Sequence, residues 1–432
     1  MSLNHMKYVN TAKFAEQTVT RCPLGSILVS SEYSQVVIPL FQRPYCWSEQ
    51  QLGGWIDNVR EGAKILGESG NILEQLADID ETNSDEFHSV GIGRFKTSGD
   101  KLLCVDGQQR LTTTSLLVSA VIKVLREMEG EGCGSLIEVA EQCLYNNTKQ
   151  VHKLLHVRES FQPSSLQPFV RLLPSEVDRV PYFCAVTGIT LPTSSGYKED
   201  SFVLQTKQFF LNYLENLLSS TPESEKVSLL AGILKSSLLW MRMMKVEVKS
   251  SIHLGQWFLW LQEKSLFGFA ALLCNNTPGV KFRAGDLVKN LLMSAFIEHP
   301  MQIQETLYED KWIQPIQNHV NDLDDFLKTF LNEEKFKEVE NENSSERYMS
   351  KYEKQILALI NAAGTDDDSD EDEAAKDEDV IGDKFSGIRL YSRFQSYYES
   401  FLQGTDLTPQ DLETVHMLIL DKLKTFLALH VN

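Results

Sequence analysis

The stretch with the most obvious chemical potential is Lys101–Leu117, KLLCVDGQQRLTTTSLL. A short apolar strand pattern runs into Asp106 and Gly107, and a helical pattern begins at once with two glutamines and Arg110 in its first turn. The first backbone N–H groups of a helix have no partner within the helix and lie at the positive end of its dipole, so they can bind an anion. Gly107 permits close backbone approach, and the Arg110 guanidinium suits phosphate oxygens. The sequence therefore predicts a phosphate site at this turn.

The same stretch also has a purely structural interpretation. In that interpretation Asp106 caps the helix, Gly107 makes the turn, and the Gln-Gln-Arg face is solvated. The spacing of the residues does not decide between the two interpretations.

A second polar segment, Ile38–Trp47 (IPLFQRPYCW), places Gln42 and Arg43 among aromatic residues and before a proline. Charged and polar groups on an apolar base are typical of a nucleotide pocket. The alternative is that Tyr45 and Trp47 belong to the core while Arg43 extends into solvent.

The elements that must position these segments form a small mixed head. Strand patterns at Ser34–Leu40 and Lys101–Val105 alternate with helical patterns at Ser48–Leu66 and from Leu111 to Met128, the latter with one apolar face. From about residue 135 the hydrophobic period is almost entirely helical, with a strand pattern at Met241–Ser250. Further helices are predicted at Ser135–Leu144, Lys149–Arg158, Ser201–Ser219, Glu223–Leu239, Leu254–Leu273, Ala284–Glu298, Asp322–Leu331, Ser345–Ala362, Ile388–Leu402 and Thr408–Leu427. The predicted fold class is α+β, a small α/β head followed by a large, mainly helical body.

The charge of the chain is concentrated. The 432 residues carry a net charge of −19, and the segment Asp366–Asp379 (DDDSDEDEAAKDED) alone holds ten acidic residues and one lysine. A like-charge block of this kind cannot pack, so a solvated, disordered insert over residues 364–384 is expected; docking of a basic partner is the alternative. The rest of the chain is only mildly acidic. This charge argues against broad coating of nucleic acid but leaves room for a local basic pocket.

Cysteine usage and hydropathy indicate the compartment. The seven cysteines are scattered without a CxxC pair, which fits a reducing compartment and not a disulfide framework or a zinc ribbon. The N-terminus lacks the apolar region of a signal peptide, and no apolar run approaches the roughly 18 residues of a membrane span. A cytoplasmic protein is expected, with the nucleus as the alternative and no membrane partner.

The pair IPLFQRPYCW and VDGQQRLTT, in this order and about 60 residues apart, closely resembles the N-terminal domain of GmrSD-type modification-dependent restriction systems. That domain has a ParB/sulfiredoxin-like fold with a "DGQQR" signature. Phe169–Gly188, Asn275–Leu292 (with its DLVKN) and Asp322–Leu331 resemble later segments of the same family. The resemblance covers roughly residues 25–335.

The resemblance implies a nucleotide site, because the arginine-bearing turn of such folds binds nucleotide phosphates. The residues it assigns to nucleotide binding are Gln42, Arg43, Gly107, Gln108, Gln109, Arg110, Lys289 and Asn290. Asp106 and Arg110 take the catalytic positions, with Asp106 either capping the helix or assisting a magnesium ion. For the DLVKN segment the alternative is a helix capped by Asp286 with an exposed lysine. No set of protein metal ligands is implied.

The resemblance also implies a division of the chain. Residues 1–130 form the ParB-like nucleotide-binding head, and residues 131–335 form a helical body of the same unit. Residues 336–432 form a C-terminal helical region that contains the acidic insert.

The expected function is binding, and magnesium-dependent hydrolysis, of a nucleoside triphosphate in restriction-type defence, with DNA or a separate nuclease subunit as a further partner. The alternative is a non-catalytic interaction or regulatory protein that retains the fold. Direct DNA cleavage is disfavoured, because the chain is expected to lack the C-terminal HNH nuclease domain of complete systems and its metal ligands; Ile297–Pro300 (IEHP) matches only part of that domain's signature. His152 and His156 also lack the glutamate of an HExxH zinc motif.

Overall fold

The computed structural model of the chain divides into two compact units, Phe14–Ser251 and Ile252–Asn432, the second of which includes Met1–Lys13. The described residues are 17–40, 42–66, 87–128, 132–156, 163–189, 201–248, 284–296, 299–333, 409–430 and seven positions between 390 and 401 (390, 393, 394, 397, 398, 400 and 401). The acidic segment 364–384 lies outside them, as do the predicted helices Leu254–Leu273 and Ser345–Ala362.

A six-stranded mixed sheet organises the first unit. Its strands are β1 (Gln17–Pro23), β2 (Gln35–Val37), β3 (His88–Ser98), β4 (Lys101–Asp106), β5 (Leu172–Leu173) and β6 (Met241–Val248). They lie in the order β1-β6-β3-β4-β2-β5. β4 pairs antiparallel with β3 but parallel with β2, and β2 pairs parallel with β5. β6 pairs parallel with β3 and antiparallel with the edge strand β1.

Eight α-helices belong to the described part of this unit. They are α1 (Leu24–Val29), α2 (Glu49–Leu66), α3 (Gln108–Glu127), α4 (Cys133–Leu144), α5 (Thr148–His156), α6 (Glu176–Thr187), α7 (Phe202–Ser219) and α8 (Glu223–Lys235). A 3-10 turn spans Pro163–Leu166, and a π-helical turn, Ser236–Trp240, joins α8 to β6. These bounds confirm the predicted strands around Ser34–Leu40, Lys101–Val105 and Met241–Ser250 and the predicted helices between Ser48 and Leu239. β1, β3, β5 and α1 were not predicted.

Helix α3 lies at the centre of the unit. The sequence predicted a helix with one apolar face, but α3 is buried on almost every side from Gln108 to Leu125. Its interior threonines and serine are accommodated because their hydroxyls donate to carbonyls one turn earlier: Thr113 Oγ1 to Gln109 O at 2.8 Å, and Ser115 Oγ to Leu111 O at 3.0 Å. The buried surface of α3 is therefore wider than the one apolar face that the sequence pattern indicated, because hydroxyls that are hydrogen-bonded within the helix can also be buried.

The described part of the second unit is helical. It comprises α9 (Ala284–Ser294), α10 (Met301–Tyr308), a π-helical segment (Glu309–Gln317), α11 (Leu323–Glu333) and α12 (Pro409–His430). A buried histidine, His416, joins these helices, since its Nδ1 lies 2.8 Å from Leu292 O and its Nε2 lies 2.7 Å from the Tyr398 hydroxyl.

The two units together confirm the predicted α+β class, a mixed sheet near the N-terminus followed by a largely helical remainder. The predicted division at residues 130 and 335 stays a prediction. Within the described ranges no helix is both long enough and apolar enough to cross a membrane.

A buried lysine of α7, Lys207, contacts α3. The Lys207 ammonium donates to Ser119 Oγ, which in turn donates to Ala185 O near the end of α6 at 3.0 Å. Burial, reinforced by the positive charges of Lys123 and Arg126, lowers the pKa of Lys207 well below its usual 10.5. The core therefore contains a group that disfavours its own charged form.

We expect Lys207→Met to remove a pH dependence of stability. Because the pKa of Lys207 is lower in the folded protein than in the unfolded chain, the unfolded chain binds more protons between these two values. The free energy of unfolding of the wild type should therefore fall as the pH drops from about 10.5 toward the folded pKa. The methionine variant should lose this slope and gain about 1 to 2 kcal/mol near neutral pH. Urea unfolding between about pH 7 and pH 10 measures it, with exposed Lys153→Met as the control. An unchanged slope in Lys207→Met would contradict the assignment.

Candidate functional site

Three adjacent parallel strands end at one edge of the sheet, and each leads into one of the polar segments. β4 leads into Gly107 and α3, β2 leads into the loop whose described residues are 38–40 and 42–48, and β5 leads into Pro174, Ser175 and α6. The carboxyl ends of parallel strands meet at the same edge, which is where open α/β sheets hold their ligands. The topology thus brings together segments that are about 60 and about 130 residues apart in sequence.

The turn between β4 and α3 requires glycine. Gly107 has a φ of 116°, in the left-handed region, and a Cβ at this position would lie 3.3 Å from Met243 Cε. The first backbone bond of the helix runs from Leu111 N to Gly107 O at 3.2 Å. The N–H groups of the three residues between them precede that ladder, and Gly107 has no side chain to cap them. This is the geometry predicted for an anion-binding turn.

Gln109 fastens the loop from β2 onto the first turn of α3. Its Nε2 donates to Pro44 O at 3.2 Å, and its Oε1 accepts from Cys46 N at 3.0 Å. The carboxamide therefore satisfies one carbonyl and one N–H of the same loop. Its side chain is buried and committed to the fold.

Two further glutamines support the same loop. Gln108 Nε2 donates to Arg43 O at 3.3 Å, and Gln42 Nε2 donates to Val105 O at the end of β4 at 2.8 Å. Both side chains are buried. The three glutamines assigned to nucleotide binding by resemblance are thus brought together, and each holds backbone with its amide nitrogen.

The third polar segment fixes the loop from the other side. Asp178 on α6 is buried, and its Oδ2 accepts from Tyr45 N at 2.6 Å and from Ser175 Oγ at 3.2 Å. The Tyr45 hydroxyl lies 2.7 Å from Thr113 Oγ1 on α3. Burial raises the pKa of Tyr45, which keeps this phenol protonated. The loop is therefore bonded to β4, α3 and α6.

Arg110 is directed toward β3. Its Nη1 donates to Val90 O at 2.6 Å and its Nη2 to Ile92 O at 2.7 Å, and Nη2 also lies 3.5 Å from Asp106 Oδ1. The pairing register of β3 shifts between Ser89 and Ile92, so these carbonyls belong to an irregular stretch of the strand. Arg110 thus holds a β-bulge in place, which sequence reasoning did not anticipate.

Asp106 is paired with arginine on both sides. Its Oδ2 accepts from Arg94 Nη1 at 2.7 Å, and its Oδ1 faces Arg110. Asp106 does not cap the helix, because the N-cap residue of α3 is Gly107. Asp106 is 46% exposed, so one face of its carboxylate meets solvent. Arg94 was not predicted to belong to the site.

Arg43 differs from the other arginines of the site. Its backbone is held by Gln108, and its side chain is half-buried. No hydrogen bond or ion pair joins its guanidinium to any residue that the structure describes. Among the predicted site residues of the first unit, Arg43 is the cation whose guanidinium N–H groups have no partner within the described residues.

The residues present do not fit a magnesium ion held by the protein. Such an ion needs oxygen ligands, and both oxygens of Asp106 face arginines. Over the described ranges no group of three histidine, cysteine or acidic residues could hold a metal ion. His299 pairs with Glu413 at 3.2 Å, and His152 pairs with the buried Glu141 at 3.0 Å.

Lys289 and Asn290 belong to the second unit. Lys289 is buried and its Nζ lies 3.4 Å from Asp286 Oδ1, so the expected exposed lysine of the alternative interpretation is wrong. The cap at the start of α9 comes from Asp324, which accepts from Gly285 N at 2.7 Å. Asn290 Oδ1 is buried without a hydrogen-bond partner among the described residues. The assignment of both residues to the nucleotide site stays a prediction.

The fold and the site at the carboxyl ends of the parallel strands define a class of protein. In this class a strand of a mixed sheet is followed by a glycine turn and a helix N-terminus, and a neighbouring loop carries an arginine. A sequence profile described as the N-terminal domain of the GmrSD restriction endonuclease matches residues 24–239, which is half of the chain. The chain belongs to this family. The match contains all three polar segments and ends before Lys289, so it is shorter than the resemblance over residues 25–335. A search of curated proteins returned no significant match.

Proposed function

We propose that this chain binds a nucleoside triphosphate at the turn between β4 and α3 and hydrolyses it in a restriction-type defence system. DNA or a separate nuclease subunit would be its further partner, as membership of a restriction endonuclease family suggests. The observation that carries the proposal is the Arg43 guanidinium, which has no hydrogen-bond or ion-pair partner among the described residues, on a backbone that Gln108 holds at the uncapped first turn of α3. Both are groups that bind phosphate oxygens.

The surrounding bonds support the proposal because they fix the site before a ligand arrives. The loop that carries Arg43 is bonded to β4, α3 and α6 by side chains that are themselves buried. A rigid arrangement loses little entropy on binding, so its donors stabilise a ligand more effectively.

Hydrolysis at such a site would depend on positioning and charge. Water attacks the terminal phosphorus and the bond to the bridging oxygen breaks. The proton of the water ends on the inorganic phosphate, and the diphosphate leaves with negative charge that Arg43 and the helix N–H groups stabilise. Magnesium would arrive on the nucleotide phosphates, where it neutralises charge. In this proposal the protein itself holds no metal ion.

We expect Arg43→Ala to weaken nucleotide binding at least about tenfold, since it removes a charge-assisted hydrogen bond to phosphate. Isothermal titration with ATP, GTP, CTP and UTP in the presence of magnesium measures the affinity of wild type and variant. Lys153→Ala removes one exposed positive charge from α5 and is the matched control. If no triphosphate binds the wild type at millimolar concentration, the proposed function fails.

The second candidate is a non-catalytic interaction protein that retains the fold. It is favoured by the glutamines, whose carboxamides bind backbone instead of facing an open pocket. Phosphate release separates the candidates: the enzyme predicts release that Arg43→Ala slows, whereas the interaction protein predicts none above the level of a heat-inactivated sample.

A further inference from the structure

We infer that Arg94 is a second phosphate-binding side chain of the proposed nucleotide site and that Asp106 holds it in position. This inference rests on the proposed function and names a residue that neither the signature segments nor the resemblance assigned. Arg94 lies on β3, in register with Asp106 of β4. Arg94 therefore lies on the strand that neighbours β4, opposite the residue that precedes Gly107.

The position of Arg94 results from an irregularity in the β3–β4 hairpin. Arg94 pairs with Asp106, but the next residue, Phe95, pairs with Cys104, so β4 has one extra residue at this point. A bulge of this kind redirects side chains near a strand end. Phe95 and Cys104 face the core, whereas Arg94 and Asp106 keep contact with solvent.

The contacts of the two arginines on Asp106 differ. Arg110 uses both terminal nitrogens on the carbonyls of Val90 and Ile92, so its orientation is fixed by backbone. Within the described ranges Arg94 has one side-chain partner, Asp106, at 2.7 Å, and its side chain is 29% exposed. A guanidinium has further donors beyond one such bond. Arg94 is therefore the arginine of this pair that can accept a second anion.

The local charge also favours an anion. Two arginines face one carboxylate, so the group Arg94, Asp106 and Arg110 carries a net positive charge beside the helix N-terminus. The chain as a whole has a net charge of −19, which makes a local excess of positive charge at this edge distinctive. A terminal phosphate lying across the turn would neutralise that charge without breaking the Arg110 bonds to β3.

The test compares Arg94→Ala, Arg94→Lys and Asp106→Asn with wild type by isothermal titration. The probes are ATP, AMP and adenosine, or the matching series of whichever triphosphate binds wild type. We expect Arg94→Ala to weaken triphosphate binding about tenfold or more while leaving nucleoside binding unchanged, and Arg94→Lys to restore part of the loss. Asp106→Asn loses the ion pair that holds Arg94 and should weaken triphosphate binding severalfold, less than Arg94→Ala does; binding as tight as wild type would show that Asp106 does not position Arg94.

A purely structural role for Arg94 would give a different pattern, in which the melting temperature falls and all three probes lose affinity equally. That pattern overturns the inference, and so does an Arg94→Ala variant that binds triphosphate like wild type; in both cases the proposed function stands. If wild type binds none of the triphosphates, the proposed function fails and the inference fails with it. Lys153→Ala again controls for the loss of one positive charge.

Discussion

Replacing Arg110 with alanine should destabilise the first unit by about 3 kcal/mol. The guanidinium donates to two carbonyls of β3 and pairs with Asp106, and its side chain is only 17% exposed. Removing it breaks two hydrogen bonds from a charged donor, each worth about 1.5–3 kcal/mol, and water can replace only part of them at the Val90 and Ile92 carbonyls. Guanidinium chloride unfolding followed by circular dichroism measures the loss as a lower midpoint.

Arg110→Lys serves as the matched variant, because it keeps the charge but not the planar fork. One ammonium cannot hold two carbonyls in the geometry of a guanidinium, so lysine should recover less than half of the lost stability. Recovery of full stability by lysine would show that charge alone matters here. Loss of nucleotide binding in Arg110→Ala is then expected even if Arg110 never touches a phosphate, because the irregular stretch that it holds ends at Ile92, two residues before Arg94.

Replacing Asp178 with alanine should have the second largest effect, about 2 to 3 kcal/mol. The buried carboxylate accepts from Tyr45 N and Ser175 Oγ. Its loss leaves both buried donors without a hydrogen-bond partner. The loop that carries Arg43 would lose its attachment to α6, so the affinity for triphosphate should fall together with the stability. Thermal unfolding and nucleotide titration on the same samples measure the two effects.

Asp178→Asn and Glu138→Gln are the controls for this change. Asparagine retains an oxygen that can accept from Tyr45 N, so it should cost less than alanine. Glu138 is an exposed residue of α4, and its neutralisation should change stability by less than about 0.5 kcal/mol. If Asp178→Ala unfolds like wild type, Asp178 does not hold the loop.

Strong periodicity explains which elements the sequence predicted. α2 and the three strands β2, β4 and β6 follow clear helical or extended apolar patterns. β3, HSVGIGRFKTS, mixes glycines and charges, and its outer residues such as Ile92 remain exposed, so no alternation of apolar and polar residues marks it. β1 is an edge strand with one buried residue, so its sequence also lacks the apolar pattern that would predict a strand.

The composition of the site was predictable, but the roles of its residues were not. The letters DGQQR indicate a turn and a helix start, and the structure has both. The partners of Gln108, Gln109 and Arg110 are backbone groups of distant segments, and a backbone carbonyl has no letter in a sequence. Arg94 was missed for the same reason: only the register of β3 on β4 places it opposite Asp106.

The bond between Tyr45 and Asp178 spans 133 residues of chain. During synthesis the ribosome delivers IPLFQRPYCW and DGQQR long before the residue that ties them to α6. A nascent or shortened chain that stops before Asp178 would thus contain both signature segments yet lack one wall of the site. The family's signature is best understood as the early part of a structure that translation finishes more than 60 residues later.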